Sequence, residues 1–74
     1  MVTHIQIRMA RAAIGIGVRE LAKEAGISPA TLSRVENGGK AHAATFEAIA
    51  RACRAKGVWF WPDSNGVYFV EPDA

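Results

Sequence analysis

The side chains best suited to specific hydrogen bonding lie together in one short stretch, SPATLSR (residues 28–34). The stretch carries three hydroxyl groups and one guanidinium, and it has no acidic side chain. A hydroxyl group both donates and accepts hydrogen bonds, and a guanidinium donates two parallel bonds to one planar acceptor. This chemistry favours recognition of another polar surface. The plainer interpretation is a solvent-facing helix whose Arg34 pairs with a carboxylate.

Other kinds of chemistry lack the residues they need. No histidine lies near a nucleophile, no supported pair of carboxylates is present, and 74 residues leave little room for a pocket. His4 and His42 are far apart in sequence and have no cysteine beside them, which argues against zinc. Cys53 is the only cysteine, and its spacing with apolar neighbours indicates a small buried side chain rather than a reactive thiol. We expect no enzyme activity, no cofactor and no metal.

Charge is distributed unevenly along the chain. Residues 1–57 contain all nine Lys and Arg with four Glu, a net charge of +5, whereas residues 58–74 contain three acids and no base, a net charge of −3. The basic part suits a polyanionic partner, although a solvated basic surface has the same composition. No apolar run approaches the roughly 20 residues that cross a bilayer, and no signal peptide is recognisable. We expect a cytoplasmic protein without membrane association.

Local signals divide the chain into helices followed by a hairpin. A capping box of Thr3 and Gln6 opens the first helix, Gly26 closes the second, and Ser28 followed by Pro29 opens the third. The predicted helices are His4 to about Ile14, Val18–Ala25, Pro29 to about Asn37, and Ala44 or Thr45 to the residue before Gly57. Two β-prone runs, 58–61 and 67–70, then flank a turn-rich segment, which predicts a β-hairpin and a loose tail over 71–74.

The second and third helices have the residue types that a helix-turn-helix requires. Counting from Val18, apolar residues occupy the positions that face the angle between the helices, a small residue lies where the helices approach, and a glycine occupies the sharp turn. The seven matching positions are Leu21, Ala22, Ala25, Gly26, Ile27, Leu32 and Val35. A generic helical hairpin would match some of these positions but seldom all of them.

The stretch VRELAKEAGISPATLSRVENG, and its closing VENG above all, resembles the phage repressor/Cro-like helix-turn-helix proteins, also called the XRE family. The resemblance covers about residues 5–56. It implies a small bacterial or phage regulator of four or five helices whose third helix enters the major groove of DNA, usually in a dimer. It also implies a structural ion pair between Arg11 and Glu36. Two features depart from the family: Gly17 and Val18 replace a common hydroxyl cap and phosphate-contacting glutamine, and a hairpin replaces the fifth helix of longer members.

This resemblance makes the polar stretch a predicted recognition helix, residues 29–37, within a helix-turn-helix that spans residues 18–37. Arg34 can donate two hydrogen bonds to guanine, and Ala30 or the Thr31 methyl group can contact a thymine methyl. The predicted base contacts are Ser28, Pro29, Ala30, Thr31, Ser33 and Arg34. The predicted phosphate contacts are the backbone at Val18 and the side chains of Arg19, Lys40 and His42, although these side chains would equally suit a solvated surface.

The hairpin, in residues 58–74, is expected to be a dimerisation element that forms one compact unit with the DNA-binding domain, residues 1–57. It offers aromatic side chains and no base, and the predicted interface residues are Trp59, Phe60, Trp61, Tyr68 and Phe69. Strand alternation places Val58 and Phe60 on one face and Trp59 and Trp61 on the other, and either pair could face inward. The alternative is that the hairpin covers its own helices as a lid.

Together these observations predict a mainly α fold, a four-helix repressor-like helix-turn-helix domain followed by a C-terminal β-hairpin. The predicted function is sequence-specific binding of double-stranded DNA as a homodimeric transcriptional regulator, either a repressor or a controller. The alternative is a protein-interaction module of the antitoxin or antiactivator type, which would bind another protein through the hairpin.

Overall fold

Within the described residues, four helices and a two-stranded antiparallel hairpin follow one another, as predicted. The computed structural model describes residues 2–63 and 65–70, so the predicted loose tail lies outside the described residues. The elements are α1 (His4–Ile14), α2 (Val18–Ala25), α3 (Pro29–Glu36), α4 (Ala43–Ala55), β1 (Val58–Phe60) and β2 (Val67–Phe69). No helix within these described ranges is long and apolar enough to span a bilayer.

The predicted boundaries differ from the observed ones by about one residue, for local reasons. Helix α3 ends at Glu36 because Asn37 is already its C-cap. Helix α4 begins at Ala43 rather than at residue 44 or 45, since His42 is its N-cap but makes no side-chain capping bond. A histidine in that position is not a usual helix-start signal. Each strand is one residue shorter than predicted.

The core is formed by apolar side chains from every helix and from β1. The buried cluster consists of Ile7, Ala10, Leu21, Ala22, Leu32, Val35, Ile49, Ala52, Cys53 and Val58. Cys53 is fully buried, which confirms its interpretation as a small apolar side chain. Burial raises the pKa of its thiol from 9.0 to about 11, so the reactive thiolate is disfavoured.

The connection between α2 and α3 is a sharp turn at Gly26. Gly26 adopts a left-handed φ of 72°, which glycine tolerates and other residues resist. The Gly26 amide donates to the Lys23 carbonyl at 3.1 Å and the Ile27 amide donates to the Ala22 carbonyl at 2.9 Å, the bond pattern of a Schellman motif. Ala25 and Ile27 are partly buried against the core. As predicted, six of the seven helix-turn-helix positions are buried or partly buried, and the seventh, Gly26, lies in the turn.

The hairpin packs against α1 and α4. Its register pairs Val58 with Phe69, Trp59 with Tyr68 and Phe60 with Val67. Val58 is fully buried and Phe60 is packed on the core, so this pair forms the inner face, which the sequence left open. Trp59 and Trp61 remain 41% and 52% exposed on the outer face.

Gln6 joins the hairpin to the start of α1. Its side chain is buried, and its amide nitrogen donates to the carbonyls of Trp61 at 2.7 Å and Gly66 at 3.0 Å. Its amide oxygen accepts from the Thr3 N–H at 3.0 Å, which completes the predicted capping box. The Thr3 hydroxyl also donates to the Asn65 side-chain oxygen at 2.8 Å. A residue predicted only to cap α1 thus also holds the mouth of the hairpin loop, and we name these contacts the Gln6 clasp.

Candidate nucleic-acid interface

The outer side of α3 presents most of the predicted base-contacting residues to solvent. Ser28, Pro29, Ala30, Ser33 and Arg34 are exposed, and Thr31 is half-buried. The Ser28 hydroxyl oxygen caps α3 by accepting from the Thr31 N–H at 3.1 Å, and the hydroxyls of these two residues lie 2.8 Å apart. The hydroxyl groups at the start of α3 are therefore held in a fixed arrangement while they remain accessible.

Arg34 is the exposed cation of this helix. In the described ranges, no carboxylate pairs with it, because the ion pairs engage Arg11, Arg54 and Lys56. This removes support for the plain interpretation, in which Arg34 neutralises a neighbouring acid. Its side chain borders a shallow groove of about 340 Å³ that Lys40, Ala41 and His42 also line. The fold thus brings three of the predicted DNA-contacting side chains together.

The only acid of α3, Glu36, is directed away from this surface. Its carboxylate accepts two parallel bonds from Arg11 of α1, from Nε at 2.8 Å and from Nη2 at 2.9 Å. The Glu36 side chain is only 7% exposed, and Arg11 also donates to the Ile16 carbonyl at 3.4 Å. The hydrogen bond to Glu36 raises the pKa of Arg11, and burial opposes it less strongly. The ion pair fixes α3 against α1 and keeps a negative charge off the exposed face.

The start of α2 offers backbone groups rather than side chains. Gly17 is the N-cap and makes no side-chain capping bond, so no hydroxyl satisfies the first amides of the helix. Val18 packs partly against the core, and Arg19 is exposed beside it. Free amides at a helix start attract anions. This arrangement leaves the backbone at Val18 and the side chain of Arg19 as the groups available there.

Comparison with known protein families identifies the family to which this chain belongs. The family model for a helix-turn-helix domain matches residues 5–58, well over half of the chain. The chain belongs to the helix-turn-helix domain family. Among curated proteins, none gives a significant match. The helix-turn-helix of this chain consists of α2, the turn at Gly26 and α3, and membership of the family supports DNA as its partner.

Some of the other basic residues in residues 1–57 form ion pairs, and others do not. Arg54 binds Glu47 at 2.6 Å and lies 5.5 Å from the centre of the Trp59 ring, and Lys56 pairs with Glu24 at 3.2 Å. Lys40, His42 and Arg19 are exposed, with no ion pair to a residue of the described ranges. Within the part of the chain that the structure describes, the side chains predicted to contact phosphate are therefore not held by an acidic residue.

The five aromatic residues predicted for the dimer interface do not lie on one surface. Trp59 and Trp61 are on the outer face, where Trp61 packs on Tyr68 with ring centres 4.6 Å apart. Phe69 is 62% exposed, whereas Phe60 is directed into its own monomer. Phe60 and Tyr68 are thus only partly exposed, unlike the other three.

Two residues make long-range or close contacts that carried no functional signal in the sequence. Gly39 follows α3 in a Gly-Gly pair, for which no contact is predictable from the sequence, and it packs directly against Arg34. Gln6 was interpreted only as a capping residue.

In the described ranges, no cluster of three or more His, Cys, Asp or Glu side chains forms a metal site.

Proposed function

We propose that this protein binds a specific sequence of double-stranded DNA as a small transcriptional regulator, a repressor or controller, and that α3 enters the major groove. The observation that carries the proposal is the exposed face of α3, which joins fixed hydroxyls and a guanidinium that pairs with no acid of the described residues, while the one acid of α3 is buried against α1. Major-groove base edges offer the donors and acceptors that this face complements. Membership of the helix-turn-helix family supports the same partner.

Within this proposal, Arg34 donates two hydrogen bonds to a guanine, and Ala30 or the Thr31 methyl contacts a thymine methyl. Ser28, Pro29 and Ser33 lie beside these groups on the same exposed surface. Their hydroxyls can donate to bases or to phosphate oxygens. The selectivity of the protein would then depend chiefly on Arg34, because it is the long side chain of this face.

Phosphate contacts would surround the recognition helix. Lys40 and His42 border the same groove as Arg34, and Arg19 and the Val18 amide lie at the start of α2. Such contacts set the orientation of a protein on the duplex and supply affinity that does not depend on sequence. Replacing one of them should weaken binding to all sequences alike.

We further propose that the protein acts as a homodimer formed through the hairpin. Hydrogen bonds from Trp61 to Gly66 and from Val70 to Gly57 fix the ladder, so the N–H and C=O groups of Val67 and Phe69 point away from β1. No described residue outside the hairpin binds these groups. Val58 on β1 is fully buried, so the accessible edge is that of β2.

The β2 edge suits a second copy of this chain. Two β2 strands related by a two-fold axis pair antiparallel, and each then satisfies the other's unpaired backbone groups. The strand carries no charge that would block such pairing, and Phe69 and Val70 are 62% and 45% exposed beside it. A dimer would place two recognition helices on successive half-sites about one helical turn apart.

Selection of bound sequences from random duplex DNA with the purified protein tests the DNA-binding function. Arg34→Ala should then weaken binding to the selected site by about 1–3 kcal/mol and relax one base position. Lys40→Ala should weaken all sequences alike and reduce the dependence of affinity on salt. Arg51→Ala is the matched control, because it removes an exposed arginine from α4, outside the proposed surface. Absence of binding to any duplex at low salt would refute the function.

A further inference from the structure

Gly39 lies against the side chain of Arg34 more closely than any other residue type allows. A Cβ atom built on Gly39 would lie 2.5 Å from Cγ of Arg34 and 2.8 Å from its carbonyl oxygen. Both distances are shorter than real Cβ contacts. The Cγ atom is at the base of the side chain rather than at its flexible end, so it cannot move aside without displacing the guanidinium.

This close approach follows from how α3 ends. The Gly38 amide donates to the Val35 carbonyl at 3.0 Å and the Gly39 amide donates to the Arg34 carbonyl at 2.8 Å. These two bonds form a Schellman motif, which folds the chain back across the last turn of the helix. Gly38 has the left-handed φ of 86° that the motif requires.

Gly38 and Gly39 therefore serve different purposes. Gly38 supplies a backbone conformation, whereas φ of Gly39 lies outside the left-handed region. An alanine at position 39 would meet no backbone strain of that kind. Its methyl group would enter the space that the Arg34 stem now occupies.

The contact determines where the Arg34 guanidinium can point. Backbone at residue 39 limits the rotamers of the stem on one side, and the rest of the side chain borders the groove with Lys40, Ala41 and His42. Arginine otherwise has many rotamers, and a side chain held in place loses less freedom when it binds.

We propose that Gly39 is a positioning residue for Arg34 and thereby determines base selectivity at the position that Arg34 contacts. This inference depends on the proposed function, in which Arg34 donates to a base. Gly39 itself need not touch DNA. Its effect acts through the orientation of one guanidinium.

The test is a double-mutant cycle with Gly39→Ala, Arg34→Ala and the double variant. Affinities are measured for the selected site and for its single-base variants, at a temperature where circular dichroism shows each protein to be folded. Gly39→Ala should reduce discrimination about tenfold at the same base pair that Arg34→Ala relaxes. Its affinity for unrelated DNA and the salt dependence of that affinity should not change. In the Arg34→Ala background, Gly39→Ala should have no further effect on discrimination.

A merely structural effect of Gly39 gives a different pattern. The 2.8 Å contact with the Arg34 carbonyl persists in both backgrounds, so a structural loss would be additive and would affect all sequences alike. That result would overturn the positioning role while leaving the DNA-binding function intact. If Arg34→Ala itself leaves discrimination unchanged, the base contact proposed for Arg34 is wrong and the positioning role is overturned with it.

Folding provides a second measurement if Gly39→Ala is too unstable to bind. The closest contact involves Cγ, which Arg34→Ala removes. Recovery of the folded state in the double variant would support the contact between residue 39 and the Arg34 stem. The contact with the Arg34 carbonyl remains in the double variant, so the recovery is expected to be partial. A loss of stability from Gly39→Ala that is equally large with and without the Arg34 side chain would overturn the inference.

Discussion

Glu36 and Arg11 form an ion pair unlike the others that the structure describes. The Glu36 side chain is 7% exposed and accepts two parallel bonds, whereas Glu24 and Lys56 are 38% and 35% exposed and meet at 3.2 Å. An exposed pair is screened by water and contributes little, but removing one partner of a buried pair leaves an uncompensated charge. The two pairs offer a matched comparison within one chain.

We expect Glu36→Gln to reduce the free energy of unfolding by about 3 kcal/mol, because it leaves the Arg11 guanidinium partly buried without a counter-charge. Glu24→Gln should cost at most about 1 kcal/mol. Thermal and urea unfolding monitored by circular dichroism would measure both. Equal losses in the two variants would contradict the structural importance of the Arg11 pair.

The pKa of Arg11 determines how the stability lost in Glu36→Gln depends on pH. Its pKa is raised above its ordinary value by the hydrogen bond to Glu36. A group with a raised folded-state pKa contributes stability that is fully present below its unfolded pKa and disappears only as pH rises through the raised value. The difference between wild type and Glu36→Gln should therefore stay constant between neutral pH and about pH 10.

The exposed polar residues of α3 were predictable from the sequence because each carries a local signal. Ser28 and Pro29 mark the helix start, and the apolar positions Leu32 and Val35 identify the opposite face as the buried one. The contact between Gly39 and Arg34 was not predictable in this way. It depends on how tightly the chain turns after α3, and a Gly-Gly pair indicates only that a turn is permitted.

At the scale of elements, Gln6 connects the first helix to the hairpin. We expect Gln6→Glu to reduce the free energy of unfolding by about 2–4 kcal/mol at neutral pH. The introduced carboxylate keeps an acceptor for the Thr3 N–H but directs an oxygen, instead of a donor, at the carbonyls of Trp61 and Gly66. Thermal unfolding and tryptophan fluorescence would follow the change.

The deficit of Gln6→Glu should shrink as pH falls, because protonation of the introduced carboxyl restores one donor and the folded state favours that form. Thr3→Ala serves as the comparison. It removes the capping hydroxyl and its bond to Asn65 but leaves the amide of Gln6 in place, so its cost should be only about 1 kcal/mol and independent of pH. A deficit of Gln6→Glu that does not change with pH would argue against the Gln6 clasp.

The elements themselves were predictable to within about one residue, since caps, glycines and a change of period mark them in the sequence. The sequence did not predict which face of the hairpin packs on the helices. Both faces of β1 are apolar, so the alternation of side chains favours neither face. Packing of Val58 and Phe60 on the core decides between them. The Gln6 clasp joins Gln6 to Trp61 and Gly66, which lie 55 and 60 residues further along the chain. No local sequence pattern indicates a contact between residues so far apart.

At the scale of the whole molecule, the prediction is a dimer formed through the β2 edge. Light scattering at micromolar concentrations should give a mass of twice 7.9 kDa. Phe69→Lys should yield a folded monomer, since it places a charge at the accessible edge. The melting temperature of Phe69→Lys should be measured at several protein concentrations. The melting temperature of a dimer rises with concentration, whereas that of a monomer does not change.

Trp61→Lys is the matched variant on the outer face of the hairpin, where the side chain is 52% exposed. If Trp61→Lys dissociates the dimer and Phe69→Lys does not, the interface is the outer face rather than the β2 edge. A wild-type chain that is monomeric at all concentrations would make the hairpin a lid. Point variants are preferable to removal of the hairpin, since removal would uncover the core beneath Val58.

The Gln6 clasp also bears on how this small protein opens. Because α1 and the hairpin loop share buried hydrogen bonds, neither can detach without breaking both bonds that the amide nitrogen of the buried Gln6 side chain donates. Local fluctuation at the hairpin is therefore coupled to loosening of the first helix, and α1 is in turn held to α3 by Arg11 and Glu36. We therefore expect the first and last described elements to open as a single cooperative unit, so that loss of order at the hairpin weakens the contacts that hold α3 in place.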